Sequence, residues 1–421
     1  MIVRLLEVAR VSRGTKKRGD PGGAGARYSG YQDSCVVSLA THDSTDPPRS
    51  RAGHGGGADL AVAEADSAHS SVGEPNGIRL RDSAFEQRDG PMSFRRRIKT
   101  SVRSLGSIVS IAVARSAEVV LRYSARRAGI ALVYHNVACA QGEPGREILA
   151  PHGVELFEAQ LRHLKSRYRV VDAEDLLDAA RQRKRGEPFP VAITFDDDLP
   201  SHASVAMPAL QRAGLRATFF LSGASLEGPF AFWWERLQRA MDQGGADIAG
   251  LVGVDLPTGM PEAIHEIGRA IEEMPPEQRD SVAAKLGQRV GPDPTTSGMR
   301  AHNVKALAEA GFRVGFHTYR HDTLPALDDP ALSQAMTAGR AELEAVVRRR
   351  LSVIAYPHGR ADLRVAAAAR AAGFEHGFTG REESVVHDSD PLLLGRLGPS
   401  YQSVGRFALQ LVRMLARRAP R

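Results

Sequence analysis

Short apolar runs recur between residues 131 and 398, and helix-like stretches lie between them. Strands that are buried on both faces of a parallel sheet read as short continuous apolar runs of this kind. The runs are residues 131–135, 169–172, 191–195, 217–223, 313–318, 352–357, 376–380 and 392–398. The pattern predicts about seven or eight strands of an α/β protein.

The intervening stretches have the apolar spacing of amphipathic helices. The clearest are residues 154–167, 202–214, 303–311, 332–348 and 364–373. Three of them end at a glycine, as helices commonly do: Gly214, Gly311 and Gly373. Because strand and helix alternate, the sequence predicts a (β/α) barrel of seven or eight units over residues 128–400.

Residues 228–299 interrupt this alternation with mostly helical patterns separated by Pro and Gly. We interpret them as an insertion over one rim of the barrel. Trp233 and Trp234, at its start, allow two interpretations: a platform on which sugar rings stack, or packing. Packing is the favoured one, because aromatic pairs dominate protein cores.

Both ends of the chain differ from the middle. Residues 1–91 are rich in Gly, Ser, Asp and Arg without either periodicity, which predicts a disordered extension. Residues 92–127 predict a basic amphipathic helical segment, and residues 401–421 a basic amphipathic C-terminal helix. These two segments carry the excess of Lys and Arg over Asp and Glu that gives the chain its net charge of +7. They favour either peripheral docking on an anionic membrane surface or packing on the barrel.

The sequence bears on two kinds of targeting segment, a signal peptide and a membrane-spanning helix. Residues 1–19 have charges inside a short apolar run and no small-residue cleavage site, so we expect no signal peptide. We also expect no membrane-spanning helix, because residues 107–121, the best candidate, contain Arg115 and Glu118. The expected location is the cytoplasm or the inner membrane face.

The basic ends lack interleaved aromatic residues, which argues against nucleic acid as a binding partner. Two cysteines, Cys35 and Cys139, cannot form a disulfide framework or a four-thiolate metal site.

Chemically useful residues follow two of the predicted strands. Asp196, Asp197 and Asp198 come directly after residues 191–195, and His317 and His321 come at the end of the 313–318 run. In a parallel barrel, catalytic groups lie at the C-terminal ends of the strands. Clustered carboxylates are unfavourable unless they are paired or coordinated, and an Asp/His set suits Zn²⁺ or a similar divalent ion. A solvated turn and a chance pair of histidines are the alternatives when each motif is considered alone.

Taken together, "ITFDDD" (193–198), "FHTYRH" (316–321) and "AYPHG" (355–359) resemble the motifs of the polysaccharide deacetylase family, which has the NodB homology domain and is also called carbohydrate esterase family 4. The resemblance covers about residues 130–398. It implies a distorted (β/α)7-8 barrel and a metal-dependent hydrolase that removes acetyl groups from amino sugars. It therefore also implies a divalent metal, with Zn²⁺ as the first choice, and an acetylated glycan or glycan precursor as substrate.

The resemblance implies a role for each matching residue. Asp196 would be the general base, accepting a proton from water activated by the metal. Asp197, His317 and His321 would be the metal ligands. Tyr356 and Pro357 would line the substrate groove and help to direct a backbone N–H toward the oxyanion.

Three departures from the family pattern stand out. Asp198 occupies a position where glycine is usual, and we expect it to orient a neighbour or contact substrate. His358 stands where many relatives have a second tyrosine, and we expect it in the groove. The last strand carries Arg396 where the family supplies a histidine as general acid, and we expect Arg396 near the substrate.

The residue that protonates the leaving amine is therefore open from the sequence. His387 is nearest to the altered motif but lies in a polar loop, where exposed histidines are common. His202 and His358 are alternatives near the rim. His135, at the end of the first strand, is either a groove residue or a hydrogen-bonded core histidine.

Two other functions compete with sugar N-deacetylation. The same site could hydrolyse another amide, an imide or an O-acetyl ester, and the altered last motif keeps this alternative open. A non-catalytic glycan-binding relative is the third. The presence of Asp196 beside a complete set of ligands argues against it, since a binding protein has no evident need for a base there.

Overall fold

The computed structural model describes residue 107 and residues 109–244, 248–253 and 263–417. The predicted disordered extension at residues 1–91 lies outside this part, as do the beginning of the basic segment 92–127 and the last residues of the C-terminal segment. The described strands are, in chain order, β1 (Ala128–Tyr134), β2 (Val137–Ala138), β3 (His152–Gly153), β4 (Arg169–Val171), β5 (Pro190–Asp196), β6 (Thr218–Leu221), β7 (Arg313–Phe316), β8 (Val353–Ala355), β9 (His376–Phe378), β10 (Val385–Val386) and β11 (Arg396–Leu397).

One mixed sheet holds most of these strands in the order β10-β1-β5-β6-β7-β8-β9. All neighbours from β1 to β9 in this order are parallel, whereas β10 is antiparallel to β1. β4 and β11 add parallel pairs to β5 and β1. A bridge between Phe378 and Leu394 leads from β9 to the segment before β11, and so back to β1. The sheet is therefore a distorted barrel, as the sequence predicts, and all eight predicted runs contain a strand.

The helices surround this sheet. A helix over residues 109–122 (α1) precedes β1. The others are α2 (Val154–Arg167), α3 (Leu176–Gln182), α4 (Met207–Ala213), α5 (Trp233–Asp242), α6 (Ile248–Val252), α7 (Ala263–Glu272), α8 (Pro276–Val290), α9 (Ala301–Glu309), α10 (Asp329–Ala335), α11 (Arg340–Val347), α12 (Leu363–Ala371) and α13 (Val404–Ala416). Residues His202–Ala206 form a π-helical turn that leads into α4.

One predicted helix is divided in the structure. The sequence predicts a single helix over 332–348, but α10 ends at Ala335 and α11 begins at Arg340. Gly339 between them has a φ of 75°, a left-handed conformation that glycine adopts without steric cost.

The predicted insertion contains α5 to α8, which have a small apolar core of their own. Trp233 and Trp234 are 6% and 5% exposed, with their rings perpendicular at 5.5 Å. They belong to that core, so the packing interpretation of the tryptophan pair is confirmed.

The C-terminal helix α13 packs on the barrel through its apolar face. Phe407, Leu411 and Leu415 are fully buried, and the helix contacts α2 and β1. The packing interpretation is therefore confirmed for α13. In the part of the chain that the structure describes, every helix is too short or too polar to cross a bilayer.

Candidate metal and catalytic centre

Three aspartates lie at the C-terminal end of β5. Asp196 is the last residue of the strand, and Asp197 follows with a left-handed backbone, φ 72°. Asp196, Asp197 and Asp198 are each 4% exposed or less. Side chains alternate along a strand, and the turn after Asp196 redirects the next two carboxylates. The three acids therefore have three different environments.

The two histidines come from the end of β7, which lies two strands from β5 in the sheet. The backbone N–H of His317 donates to the carbonyl of Leu221 (2.8 Å). Its Nδ1 lies 2.8 Å from the carbonyl of Ala355, which can only accept, so Nδ1 carries the proton and Nε2 is left as a ligand atom. His321 follows in a turn with a left-handed backbone, φ 53°.

Asp197, His317 and His321 converge on one point. Oδ1 of Asp197 lies 3.5 Å from Nε2 of His317 and 3.4 Å from Nε2 of His321. The three ligand atoms lie within 4.8 Å of one another, and all three residues are buried. Oδ1 of Asp197 has no hydrogen-bond partner among the described residues. One carboxylate and two imidazoles around an unsatisfied oxygen fit a catalytic zinc site, in which three protein ligands leave further positions open.

The charges at this point are strongly coupled. Burial acts to raise the pKa of Asp197, but the contacts with His317 and His321 outweigh it and hold the pKa well below its ordinary value. Burial acts to lower the pKa of His317, whereas the nearby Asp196 and Asp197 raise it. Burial and the neighbouring His358 lower the pKa of His321 to about 3. Asp197 is therefore ionised and His321 neutral at pH 7, the forms in which each binds a metal.

Asp196 is paired with Arg396 on β11. The guanidinium donates two hydrogen bonds to the carboxylate, from Nη1 to Oδ1 (2.6 Å) and from Nη2 to Oδ2 (2.7 Å). Burial acts to raise the pKa of Asp196, but the charges of Arg396 and His317 lower it. Oδ2 also lies 4.0 Å from Nε2 of His317. The contact that the structure shows for Arg396 is therefore with the candidate base, and the substrate contact expected for it stays a prediction.

Asp198 is bonded within the fold. Its Oδ1 accepts from the backbone N–H of Ser222 (2.8 Å), and its Oδ2 accepts from the hydroxyls of Ser222 (2.6 Å) and Ser225 (3.4 Å). Burial raises its pKa. The left-handed conformation of this turn falls on Asp197, so an aspartate at 198 causes no backbone strain. Asp198 joins the loop after β5 to the loop after β6, and its substrate contact stays a prediction.

The third motif follows β8. Tyr356 is fully buried, its hydroxyl donates to the carbonyl of Leu392 (2.8 Å), and its backbone N–H donates to the carbonyl of Phe378 (3.0 Å). That N–H is therefore not directed at an oxyanion. Pro357 is buried in the turn after β8. His358 has a φ of 55°, and its Nδ1 lies 3.3 Å from Oε1 of Glu272. The substrate contacts of these three motif residues stay predictions.

The remaining histidines lie in different surroundings. His202 is fully buried, its Nε2 contacts the carbonyl of His135 (3.0 Å), and its ring packs on Phe195 and Phe219. His387 is exposed beside Asp388. His135 is half-buried, and its charge acts to lower the pKa of both Asp196 and Asp197.

Contacts from the helical insertion reach the histidine loop, and the sequence analysis did not anticipate them. The ring of Trp234 lies 4.5 Å from that of His321. Glu272, the last residue of α7, contacts His358, and Arg279 of α8 forms a buried ion pair with Asp322. The only signal for this was the position of the insertion between β6 and β7, whose loops border the site.

The family model of the polysaccharide deacetylases matches residues 183–250 and 258–377. The sequence resemblance and the family model therefore point to the same family over this part of the chain. This part contains the three aspartates, both histidines and the third motif, while Arg396 lies beyond it. Polysaccharide deacetylases are hydrolases that act on carbon–nitrogen bonds other than peptide bonds, and the resemblance seen in the sequence is confirmed.

Several solved structures are similar to the chain. A Streptococcus pyogenes deacetylase, PplD, in complex with acetate is 17% identical with a TM-score of 0.47, over 68% of this chain and 98% of that one. A polysaccharide deacetylase from Bacillus cereus is 16% identical with a TM-score of 0.46, over 68% of this chain and 69% of that one. IcaB from Ammonifex degensii is 20% identical with a TM-score of 0.41, over 67% of this chain and 97% of that one. No curated protein sequence matches the chain significantly.

Proposed function

We propose that the protein is a member of the polysaccharide deacetylase family and a metal-dependent hydrolase that removes N-acetyl groups from a glycan or glycan precursor. One observation carries the proposal. Asp197, His317 and His321 bring their ligand atoms within 4.8 Å of one another, and a second carboxylate, Asp196, lies 4.0 Å from the nearer histidine. A three-residue ligand set beside a separate acid–base group is the arrangement that metal-assisted hydrolysis requires.

Asp197 and the Nε2 atoms of His317 and His321 would hold the cation, for which Zn²⁺ is our first choice. When bound, such a cation polarises the acetyl carbonyl and lowers the pKa of water. His317 is oriented for this task because its Nδ1 donates to the carbonyl of Ala355.

Asp196 would take the proton of the attacking water. Arg396 keeps the Asp196 carboxylate ionised and fixes its plane, so the base is ready in the deprotonated form. The same ion pair lowers the pKa of Asp196, and a lower pKa makes the carboxylate a weaker base. A general base works best when its pKa lies near the working pH. Asp196 is therefore suited to hold a proton briefly and pass it on.

His135 would donate the proton to the leaving amine. Of the three histidines that the sequence offers as proton donors, His202 is enclosed by aromatic rings and His387 is on the surface. His358 has its Nδ1 engaged by Glu272. His135 is half-buried and directly follows β1, whose last residue Tyr134 pairs with Phe195, the residue before Asp196. It therefore combines access with proximity to the base.

The test begins with the metal. The full-length protein is purified, its bound metal is measured, and acetate release is followed with free, lipid-linked and polymeric acetylated amino sugars. Asp196→Asn should keep the metal and lose turnover, because it keeps the ligands and removes the base. His317→Ala should lose both. A wild-type protein without stoichiometric metal, even after Zn²⁺ is supplied, would overturn the proposal.

The panel of substrates also separates the competing functions. Acetate release from one class of glycan identifies the substrate class. Metal binding without acetate release from any glycan would favour a different amide, an imide or an O-acetyl ester, which the same panel extended to those compounds would detect. Failure with all of them would favour a glycan-binding protein.

A further inference from the structure

The two histidines of the candidate metal site are held by different parts of the protein. His317 is fixed by the barrel, because its backbone N–H and its Nδ1 both donate to strand carbonyls, those of Leu221 and Ala355. His321 lies in a turn, and its Nδ1 is buried with no hydrogen-bond partner among the described residues. A histidine that binds a metal almost always donates its other ring N–H to a fixed acceptor. Among the described residues, the barrel therefore supplies no such acceptor to His321.

His358 offers the missing acceptor. The rings of His321 and His358 lie 4.6 Å apart between centroids, nearly perpendicular, and Nε2 of His358 is likewise buried without a partner in the described part of the chain. The Nδ1 atom of His358 lies 3.3 Å from Oε1 of Glu272. A carboxylate accepts, so Nδ1 of His358 carries a proton, and the tautomer with this single N–H leaves a free lone pair on Nε2. The two rings in contact therefore each have a buried nitrogen without a partner among the described residues, an N–H of His321 when its Nε2 is the ligand and a lone pair of His358.

Glu272 is itself held firmly. Its second carboxylate oxygen accepts from Arg360 (3.4 Å), and its backbone carbonyl accepts from the hydroxyl of Thr323 (3.1 Å), two residues after His321. Trp234 and the buried Arg279–Asp322 ion pair also bring the insertion against the histidine loop. The end of α7 is thus joined to both the loop after β7 and the turn after β8.

We propose that the helical insertion positions the metal ligand His321 through Glu272 and His358, with His321 Nδ1–H donating to Nε2 of His358 and His358 Nδ1–H donating to Glu272. This inference rests on the proposed metal site. The line of three residues fixes the ring plane and tautomer of His321, so that its Nε2 points toward Asp197. Glu272 and His358 are positioning residues, and neither needs to contact substrate for this role.

The test measures metal affinity of the full-length protein without turnover. Metal-free wild type and variants are titrated with Zn²⁺ against a chromogenic chelator, and with Co²⁺ while its visible absorption is recorded. Glu272→Leu should raise the dissociation constant about 10- to 100-fold, the usual effect of losing an outer partner of a ligand. Glu272→Gln should retain most of the affinity, because its amide oxygen still accepts from His358. Glu273→Leu is the matched control, because Glu273 is the exposed neighbour and should leave the affinity unchanged.

A second variant covers the case in which Glu272→Leu does not fold. His358→Asn keeps a residue that tolerates the left-handed backbone, but its shorter side chain cannot place an acceptor where Nε2 of His358 lies, so it should weaken metal binding and shift the Co²⁺ spectrum. Wild-type affinity in both Glu272→Leu and His358→Asn would overturn the inference. Unchanged metal affinity with a raised KM for glycan would overturn it as well. That result would indicate that Glu272 and His358 contact substrate instead. Absence of metal from the wild type is a different result, and that result overturns the proposed function.

Discussion

Arg396 and Asp196 form a buried two-point ion pair, although they lie 200 residues apart in the chain. We expect Arg396→Met to leave the carboxylate buried without a counter-charge and to cost about 3–5 kcal/mol in free energy of unfolding. Urea unfolding checks this. Arg212→Met, which breaks an exposed pair with Glu158, should cost at most about 1 kcal/mol. Equal losses in the two variants would show that Asp196 does not depend on Arg396.

A double variant extends the same test. Asp196→Asn combined with Arg396→Met removes both charges, so it should be more stable than Arg396→Met alone. A double variant as unstable as the sum of its single changes would indicate that the two side chains do not interact.

Asp198 is expected to contribute to stability and not to metal binding. Asp198→Ala leaves the backbone N–H and hydroxyl of Ser222 without their acceptor, which should cost about 1–3 kcal/mol. Asp388→Ala, at an exposed position, should cost close to nothing. Metal content, measured on the same samples, should be unchanged in both. Loss of metal from Asp198→Ala would contradict the assignment of Asp197 as the ligand from this turn.

His163 on α2 is expected to make stability fall as the solution is acidified. Burial first, and then the charges of Arg115 and Arg167, lower its pKa from 6.5 to about 4. The unfolded chain therefore binds this proton more readily between those values. The contribution is complete above pH 6.5, is lost progressively as the pH falls to about 4, and amounts to at most about 3 kcal/mol.

His163→Phe keeps a ring against Tyr168 and Phe407 and cannot be protonated. Its free energy of unfolding should decline less steeply than that of the wild type between pH 6.5 and 4. His387→Phe, at an exposed position, should follow the wild-type slope. Parallel slopes for wild type and His163→Phe would refute the prediction.

His135→Gln should lower kcat about 10²- to 10⁴-fold and leave the metal content unchanged, because it removes a proton donor and no ligand. Steady-state acetate release and metal analysis on the same sample are the measurements. His387→Gln should behave as wild type. Full activity in His135→Gln would rule out His135 as the general acid and direct attention to His358.

The sequence predicts most of the barrel because eight of the nine strands of its sheet lie in short apolar runs, whereas the two-residue β10 does not. It also predicts that Asp196–Asp198 and His317–His321 meet, since the C-terminal ends of parallel strands share one edge. The partners of these residues are harder to predict. Arg396 lies in a two-residue strand, too short for a clear pattern, and Glu272 ends an insertion helix whose apolar pattern describes only its own packing. Side-chain pairing between distant segments leaves no periodic signal in the sequence.

The backbone conformation of the site reduces the stability of the fold. Among the described non-glycine residues with a left-handed backbone, Asp197, Thr318, His321 and His358 all belong to this centre, and Arg348 lies elsewhere. Each such residue stores roughly 1–3 kcal/mol. Selection for heat resistance alone would therefore favour glycine at these positions, beginning with the β-branched Thr318. A variant library that is screened only for thermal stability should yield proteins that are more stable but have lost the candidate metal and catalytic centre. Such a screen therefore also needs a metal-binding or activity step.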